Sequence, residues 1–102
     1  MEIITPGHTY DLDSHKLGGV KQRLNFVHKE KAPDSDKLTE IRDGTTTEEV
    51  IDVLIDRINH LNHVLPAVEN ATVVTYLRRA RKALEERTER RRKRLVEGTM
   101  IK

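Results

Sequence analysis

The sequence contains no cysteine and no tryptophan, and it has only one phenylalanine and two tyrosines in 102 residues. The lack of cysteine excludes disulfides, zinc–thiolate sites, iron–sulfur clusters and thiol nucleophiles. Large aromatic rings usually supply much of the apolar area that a small domain buries, and apolar residues make up only 35% of this chain. We therefore expect a thin aliphatic core, which association between copies would enlarge.

Long hydrophobic runs are also missing. No segment approaches the ~18 consecutive apolar residues of a membrane span, and Met1–Tyr10 lacks the cationic and apolar regions of a signal peptide. These absences predict a cytoplasmic protein without a membrane partner.

The charges are distributed unevenly, although the formal net charge is only +2. Residues 1–77 carry eight Lys or Arg and thirteen Asp or Glu, a net charge of −5, whereas residues 78–94 carry ten and three, a net charge of +7. This pattern predicts an acidic body followed by a basic helix. Such a helix is typical of an anionic ligand site, of a contact with an acidic surface on another subunit, or of a solvated face.

Residues 1–44 have the pattern of a small β region. Apolar residues are sparse and loosely alternate, which predicts three short strands near Thr9–Leu12, 22–28 and 37–41. We expect these strands to form one antiparallel meander. Such a meander needs a cover for its apolar face.

Residues 45–99 have the pattern of two helices, about 46–64 and 69–95, followed by a tail at 100–102. Thr46 and Glu49 match a capping box, and Gly98 predicts a left-handed stop. Because the linker is short, the helices should form an antiparallel hairpin, which makes the fold class α+β with an oligomeric assembly. The apolar positions expected to face inward are Val50, Leu54, Ile58, Leu61 and Leu65, flanked by Ile51 and Ile55, and then Val73, Leu77, Ala80 and Leu84.

Several polar residues are candidates for binding. Arg87 and Arg91 are four residues apart on one helix face, a spacing that suits a diphosphate because guanidinium groups bind phosphate oxygens bidentately. A solvated face or salt bridges between subunits would explain the same pair. Asn70 stands at the start of the second helix, where it would serve as a cap or hydrogen-bond a purine edge. His60 and His63 have a spacing that permits a metal, but no third ligand accompanies them.

Two other functions remain open from the residues alone. The basic segment 78–94 would suit a small nucleic-acid-binding regulator, although no aromatic residues are interleaved for stacking. The same segment would suit an assembly module that meets the acidic body of a neighbouring copy. No nucleophile–base pair or glycine-rich phosphate loop is present, which predicts a protein that is not an enzyme.

An ordered series of short motifs runs through the C-terminal half. They are Asp43-Gly44-Thr45-Thr46, Glu48-Glu49-Val50, Leu54-Ile55-Asp56-Arg57, Leu61-Asn62, Pro66, Glu69-Asn70, Ala83-Leu84, Arg87-Thr88, Arg91, Arg94 and Val96-Glu97-Gly98-Thr99. This series resembles the hairpin domain shared by phage anti-Thoeris and anti-CBASS signal sponges, with the stronger match to the anti-Thoeris branch. The resemblance covers roughly residues 6–99.

The resemblance implies a protein without catalytic activity or cofactor that sequesters the cyclic ADP-ribose isomer made by bacterial TIR-domain proteins. It also implies cyclic oligonucleotides as further ligands at separate sites, and a homo-oligomer, either a dimer or a hexamer built from dimers. The ligand-binding positions of the family fall on His60, Asn70, Arg87 and Arg91 of this chain.

The chain departs from the family pattern at two places. His60 replaces the usual aromatic residue, and Ala67-Val68 stands where the family often has a small residue followed by arginine. A smaller ring weakens stacking, and a lost charge weakens anion affinity. The resemblance therefore predicts weaker binding or a preference for a different nucleotide.

Overall fold

The structure is a computed structural model that describes residues 1–34 and 36–100, with side chains up to Val96. The chain divides into two compact units, Met1–Thr47 and a second that begins at Glu48. Within the described residues, five short antiparallel strands in two sheets precede two helices. The α+β class is confirmed. The last two residues of the predicted 100–102 tail lie outside the described residues.

The first sheet has the strand order β1-β2-β3, with β1 at Glu2–Thr5, β2 at Thr9–Leu12 and β3 at Gln22–Asn25. A turn containing Gly7, which has a φ of 80°, joins the first two strands; glycine tolerates this φ because it has no Cβ. Thr9 begins the central strand and is only 1% exposed. Its hydroxyl donates a hydrogen bond to Asn25 Oδ1 at 3.1 Å, so a polar contact holds this part of the sheet.

The second sheet pairs β4 at His28–Lys31 with β5 at Leu38–Arg42. The predicted single meander of three strands is therefore wrong in two respects. Strand β1 gave no alternating signal, because Ile3 and Ile4 are adjacent apolar residues. The expected strand at 22–28 is split between the two sheets.

The split occurs at Phe26 and Val27, whose backbone amides bond to separate segments. Phe26 N–H donates to the carbonyl of His8 at 2.7 Å, and Val27 N–H donates to that of Thr45 at 2.8 Å. Successive amides of an extended chain point to opposite sides, so Phe26 makes the last contact with the first sheet and Val27 bonds to the segment before α1. The imidazole rings of His8 and His28 stack with centroids 3.7 Å apart, which adds a side-chain contact beside this junction.

Helix α1 spans Thr47–Val64, close to its predicted bounds, and α2 spans Val68–Met100. The predicted end of the second helix near residue 95 and the stop at Gly98 are wrong. A glycine inside a helix costs only about 1 kcal/mol relative to alanine and retains its backbone hydrogen-bonding groups, so it does not by itself end a helix. Within the described residues, no helix is long and apolar enough to cross a membrane.

The inward faces of both helices are rotated from the predicted ones. In α1, Ile51 is 9% exposed and is the one buried apolar side chain among the described residues, whereas Leu54 is 42% exposed. In α2 the half-buried positions include Val74 instead of Val73. The remaining half-buried positions of the two helices are Glu48, Val50, Ile55 and Ile58, followed by Asn70, Leu77, Arg81 and Leu84. The periodicity located the helices but chose the wrong centre for each face.

Candidate functional site

Asn70 lies in the first turn of α2, and its side chain binds across to α1. Its Nδ2 donates a hydrogen bond to Oδ1 of Asn62 at 2.9 Å. The same Asn62 oxygen accepts the backbone N–H of Ala67 at 3.1 Å. The expectation that Asn70 caps the second helix is therefore wrong. The helix begins two residues earlier, at Val68, and the Asn70 amide joins the two helices instead.

His60 lies on α1, two residues before Asn62, and is exposed. Residues two positions apart in a helix point to different sides, so His60 does not share the side of α1 that Asn62 presents to Asn70. Among the residues that the structure describes, no cluster of three or more His, Cys, Asp or Glu side chains has an arrangement that could hold a metal ion. The position of His60 instead leaves its ring accessible to a ligand.

Arg87 and Arg91 lie on α2, four residues apart, and both are exposed. Within the described part of the chain, neither side chain makes an ion pair, whereas Arg92 binds Glu89 at 3.0 Å. Two guanidinium groups on one helix face and without a carboxylate partner can bind the oxygens of a diphosphate. Both guanidinium groups are thus exposed on the helix face where the spacing predicted them.

The four predicted residues do not meet in one chain. Asn70 and Arg87 are seventeen positions apart on the same continuous helix, which corresponds to about 25 Å at 1.5 Å per residue. A pocket for a small molecule encloses about 300–1,000 Å³, or roughly 10 Å across. The structure thus separates Asn70 from Arg87 and Arg91 along α2, and His60 lies on the other helix, α1.

Arg81 forms a network that the sequence did not reveal. Its Nε donates to Asp52 of α1 at 3.0 Å, and its Nη1 donates to Glu85 at 2.7 Å. The hydrogen bond to Asp52 raises the pKa of Arg81 above its ordinary value. The spacing of Arg81 and Glu85 was visible as an i,i+4 pair, but Asp52 is 29 residues away in the chain. Arg81 is therefore a contact between the helices, although it lies in the basic segment.

An open groove of about 340 Å³ lies beside this network. Its lining carries two carboxylates and three cations, so most of the positive charge is neutralised and the groove has no strong preference for an anion. The residues that line it are Asp52, Ile55, Arg78, Arg81, Lys82 and Glu85.

Tyr76 is the exposed aromatic residue of α2, at 62% exposure. The guanidinium carbon of Arg79 lies 5.8 Å from its ring centroid, within the range of a cation–π contact. The sequence placed both residues in or beside the basic segment, but it did not indicate this contact.

Comparisons with known proteins supply no further assignment of the site: no family model, no curated protein and no solved structure matches this chain.

Proposed function

We propose that this chain is a non-enzymatic phage anti-defence protein that binds and sequesters cyclic nucleotide immune signals in the host cytoplasm. The signals are cyclic ADP-ribose isomers from TIR enzymes, with cyclic oligonucleotides as further ligands. Sequestration blocks activation of the Thoeris or CBASS effector by mass action, because subunits that outnumber the signal lower its free concentration. The resemblance in the motif series supplies the ligand class.

The observation that carries the proposal is that Arg87 and Arg91 are exposed and have no acidic partner among the described residues. Acidic side chains hold Arg81 and Arg92, while Arg87 and Arg91 are exposed and make no ion pair within the part of the chain that the structure describes. Arg90 and Arg94 share this state, and the motif resemblance selects Arg87 and Arg91. A diphosphate would provide the negative charge that this pair lacks. His60 and Asn70 would contact the base or the ribose.

The separation of about 25 Å between Asn70 and Arg87 along α2 supports a site shared between copies. We infer that the helices form an antiparallel hairpin and that α2 packs against α2 of a second copy in the opposite direction. If the two-fold axis passes near Ala80, positions equidistant from Ala80 face each other. Val73 then faces Arg87 of the partner subunit, and Glu69 faces Arg91 of the partner subunit, where a bound diphosphate would have to displace the Glu69 carboxylate. This pairing brings Asn70 close to the partner's arginine pair.

The exposed apolar residues support this mode of association. Val73 is 40% exposed and Tyr76 is 62% exposed, and both lie on the same face of α2 as the exposed residues Ala80 and Ala83. Small residues at the centre of a helix face allow close approach of a second helix. The dimer formed in this way is the smallest unit that completes the site, and association of dimers would give the hexamer that the resemblance implies.

The test is native mass spectrometry of the purified protein, alone and after incubation with the products of an active TIR enzyme. We expect an oligomer that gains the mass of one cyclic ADP-ribose per site and releases it intact on heating. Release of a hydrolysed nucleotide would contradict sequestration without catalysis. An oligomer that stays empty with all cyclic nucleotides offered would overturn the proposal.

Substitution of the arginine pair tests the site itself. Arg87→Ala or Arg91→Ala should each lower ligand affinity by roughly 1.5–3 kcal/mol, as expected for loss of a charge-assisted contact, and the oligomer should persist. Lys93→Ala is the matched control because it removes one positive charge from the opposite face of the same helix. Normal binding by either arginine variant would show that the site lies elsewhere.

A nucleic-acid-binding regulator is the alternative function, and the exposed cations of segment 78–94 favour it. Binding to phosphates releases counterions, so affinity would fall steeply with salt and rise with the length of the nucleic acid. Saturation at a fixed number of small ligands per oligomer supports the sponge instead. Binding of a short duplex by a protein that takes up no cyclic nucleotide would establish the alternative.

A further inference from the structure

We infer that Asn62 is a positioning residue for Asn70: it fixes the orientation of the Asn70 amide so that its oxygen faces the ligand. The ligand group that contacts this oxygen is then a hydrogen-bond donor, a base amine or a ribose hydroxyl. This inference rests on the proposed function, since it specifies the chemistry of one of the proposed contacts.

The orientation of the Asn62 amide follows from its backbone partner. The N–H of Ala67 lies 3.1 Å from the Asn62 side chain, and a backbone N–H can only donate. The atom that faces it must be an acceptor, which is Oδ1 and not Nδ2. The usual ambiguity between the two ends of an asparagine amide is thereby removed.

The same argument then fixes Asn70. Its terminal amide atom lies 2.9 Å from the Asn62 oxygen that Ala67 has already defined. Two amide oxygens at that distance would repel each other, so the Asn70 atom must be the donor Nδ2. Rotation of the Asn70 amide by 180° would lose this hydrogen bond.

The consequence is that Oδ1 of Asn70 remains as an acceptor. Among the described residues, no protein group donates a hydrogen bond to this oxygen, and Asn70 is only half-buried. A phosphate presents acceptors alone and would not bind to an amide oxygen, whereas an amine or hydroxyl donates to it. The group that binds this oxygen is therefore a base amine or a sugar hydroxyl, while the second N–H of Asn70 remains a donor.

This geometry also predicts a base preference if the donor is an amine. Adenine carries an exocyclic amine beside N7, whereas guanine has a carbonyl oxygen there. The Asn70 oxygen accepts a hydrogen bond from the first and repels the second. Without Asn62, the Asn70 amide would rotate and offer either end, so the preference would weaken.

The first experiment measures the positioning without a ligand. In the wild-type protein, we expect the Asn70 side-chain NH₂ resonances to differ from those of a solvated asparagine and to exchange slowly with water. Asn62→Leu should move them to solvated values, because both hydrogen bonds to Asn62 are lost. Asn62→Asp should retain them, because a carboxylate oxygen accepts from both donors. Asn59→Leu is the control, an exposed asparagine on the same helix.

The second experiment measures affinity for cyclic ADP-ribose by calorimetry in the same variants. We expect about tenfold weaker binding by Asn62→Leu, the size of one lost hydrogen bond, with near-wild-type binding by Asn62→Asp and Asn59→Leu. Circular dichroism must show that Asn62→Leu keeps its helices. If the NMR signals of Asn70 move in Asn62→Leu and affinity stays unchanged, the inference is overturned while the proposed function stands.

Ligand analogues identify the donor. A hypoxanthine analogue, in which an oxygen replaces the adenine amine, should bind about tenfold more weakly if the amine contacts Asn70. A deoxyribose analogue should bind about tenfold more weakly if a ribose hydroxyl contacts Asn70. Undiminished binding of both analogues would overturn the inference. Absence of cyclic ADP-ribose binding by the wild type would overturn the proposed function itself, while the NMR experiment would still test the positioning.

Discussion

Gly44 precedes α1 at a point where two backbones nearly touch. A Cβ at this position would lie 2.6 Å from the carbonyl carbon of Phe26 and 2.7 Å from the carbonyl oxygen of Asn25. Carbon atoms pack at about 3.5 Å or more, so Gly44→Ala must displace one backbone by several tenths of an ångström. Backbone atoms cannot rotate away as a side chain would, and the neighbouring hydrogen bonds must therefore lengthen.

Two hydrogen bonds are at risk in Gly44→Ala. Thr45 N–H donates to the carbonyl of Asn25 at 2.9 Å, and Val27 N–H donates to that of Thr45 at 2.8 Å. Each contributes about 1 kcal/mol net, and alanine recovers about 0.4–1 kcal/mol by restricting the unfolded chain. We expect a net loss of about 1–2 kcal/mol in the free energy of unfolding.

The assay is urea unfolding of Gly44→Ala combined with amide hydrogen exchange. Protection at Val27 and Thr45 should fall together with the unfolding midpoint. Gly18→Ala is the control: its φ of +77° strains alanine, but no atom lies within 4 Å of the added Cβ. It should lose stability without selective loss of protection at Val27 and Thr45. A Gly44→Ala variant with wild-type stability and unchanged exchange would refute the steric argument.

The remaining predictions concern the first sheet. Thr9→Val removes the hydroxyl that donates to Asn25 and leaves that amide oxygen without its donor, so stability should fall by about 1–2 kcal/mol in urea unfolding; an unchanged midpoint would contradict this role. The hydrogen bond from Arg23 lowers the pKa of Asp11 below its ordinary value of 3.8. The resulting stability is present above the unfolded pKa and is lost as pH falls through the folded pKa. Wild type should therefore lose more stability than Asp11→Asn below about pH 4. Parallel curves of unfolding free energy against pH for the two proteins would exclude a contribution from the Asp11 carboxylate.

The sequence predicted the first helix well because two independent signals agreed there. The Thr46 to Glu49 spacing located its start, and Thr47 is its first residue. Pro66 follows its end, as expected for a residue that lacks a backbone N–H. Gly98, by contrast, was a single weak signal, because a helix continues through glycine whenever a left-handed stop is not formed.

The strands were harder to predict because long-range hydrogen bonds determine their limits. Nothing in the residues around Phe26 shows that its amide bonds to His8 while the next amide bonds to Thr45. The contact between Arg81 and Asp52 has the same origin, since the two residues are far apart in the chain. Local patterns indicate which residues form an element, but not which distant groups end or brace it.

Local patterns likewise indicated one part of the candidate site, and long-range contacts determine the other. The spacing of Arg87 and Arg91 placed both on one helix face, and the structure leaves both exposed. The hydrogen bond between Asn62 and Asn70 depends on how the connection between the helices folds, so no local pattern links the two residues. The distance from Asn70 to Arg87 did follow from helix length, once a continuous α2 was established.

The scarcity of buried apolar side chains has a calorimetric consequence. Exposure of apolar surface is what raises heat capacity on unfolding, and globular proteins average about 12–15 cal/mol/K per residue. An isolated chain in which Ile51 is the one buried apolar side chain among the described residues should fall well below that range and melt over a broad temperature interval. A normal heat-capacity increment with a sharp, concentration-dependent transition would mean that the exposed faces of α1 and α2 are covered by other copies in the state that melts.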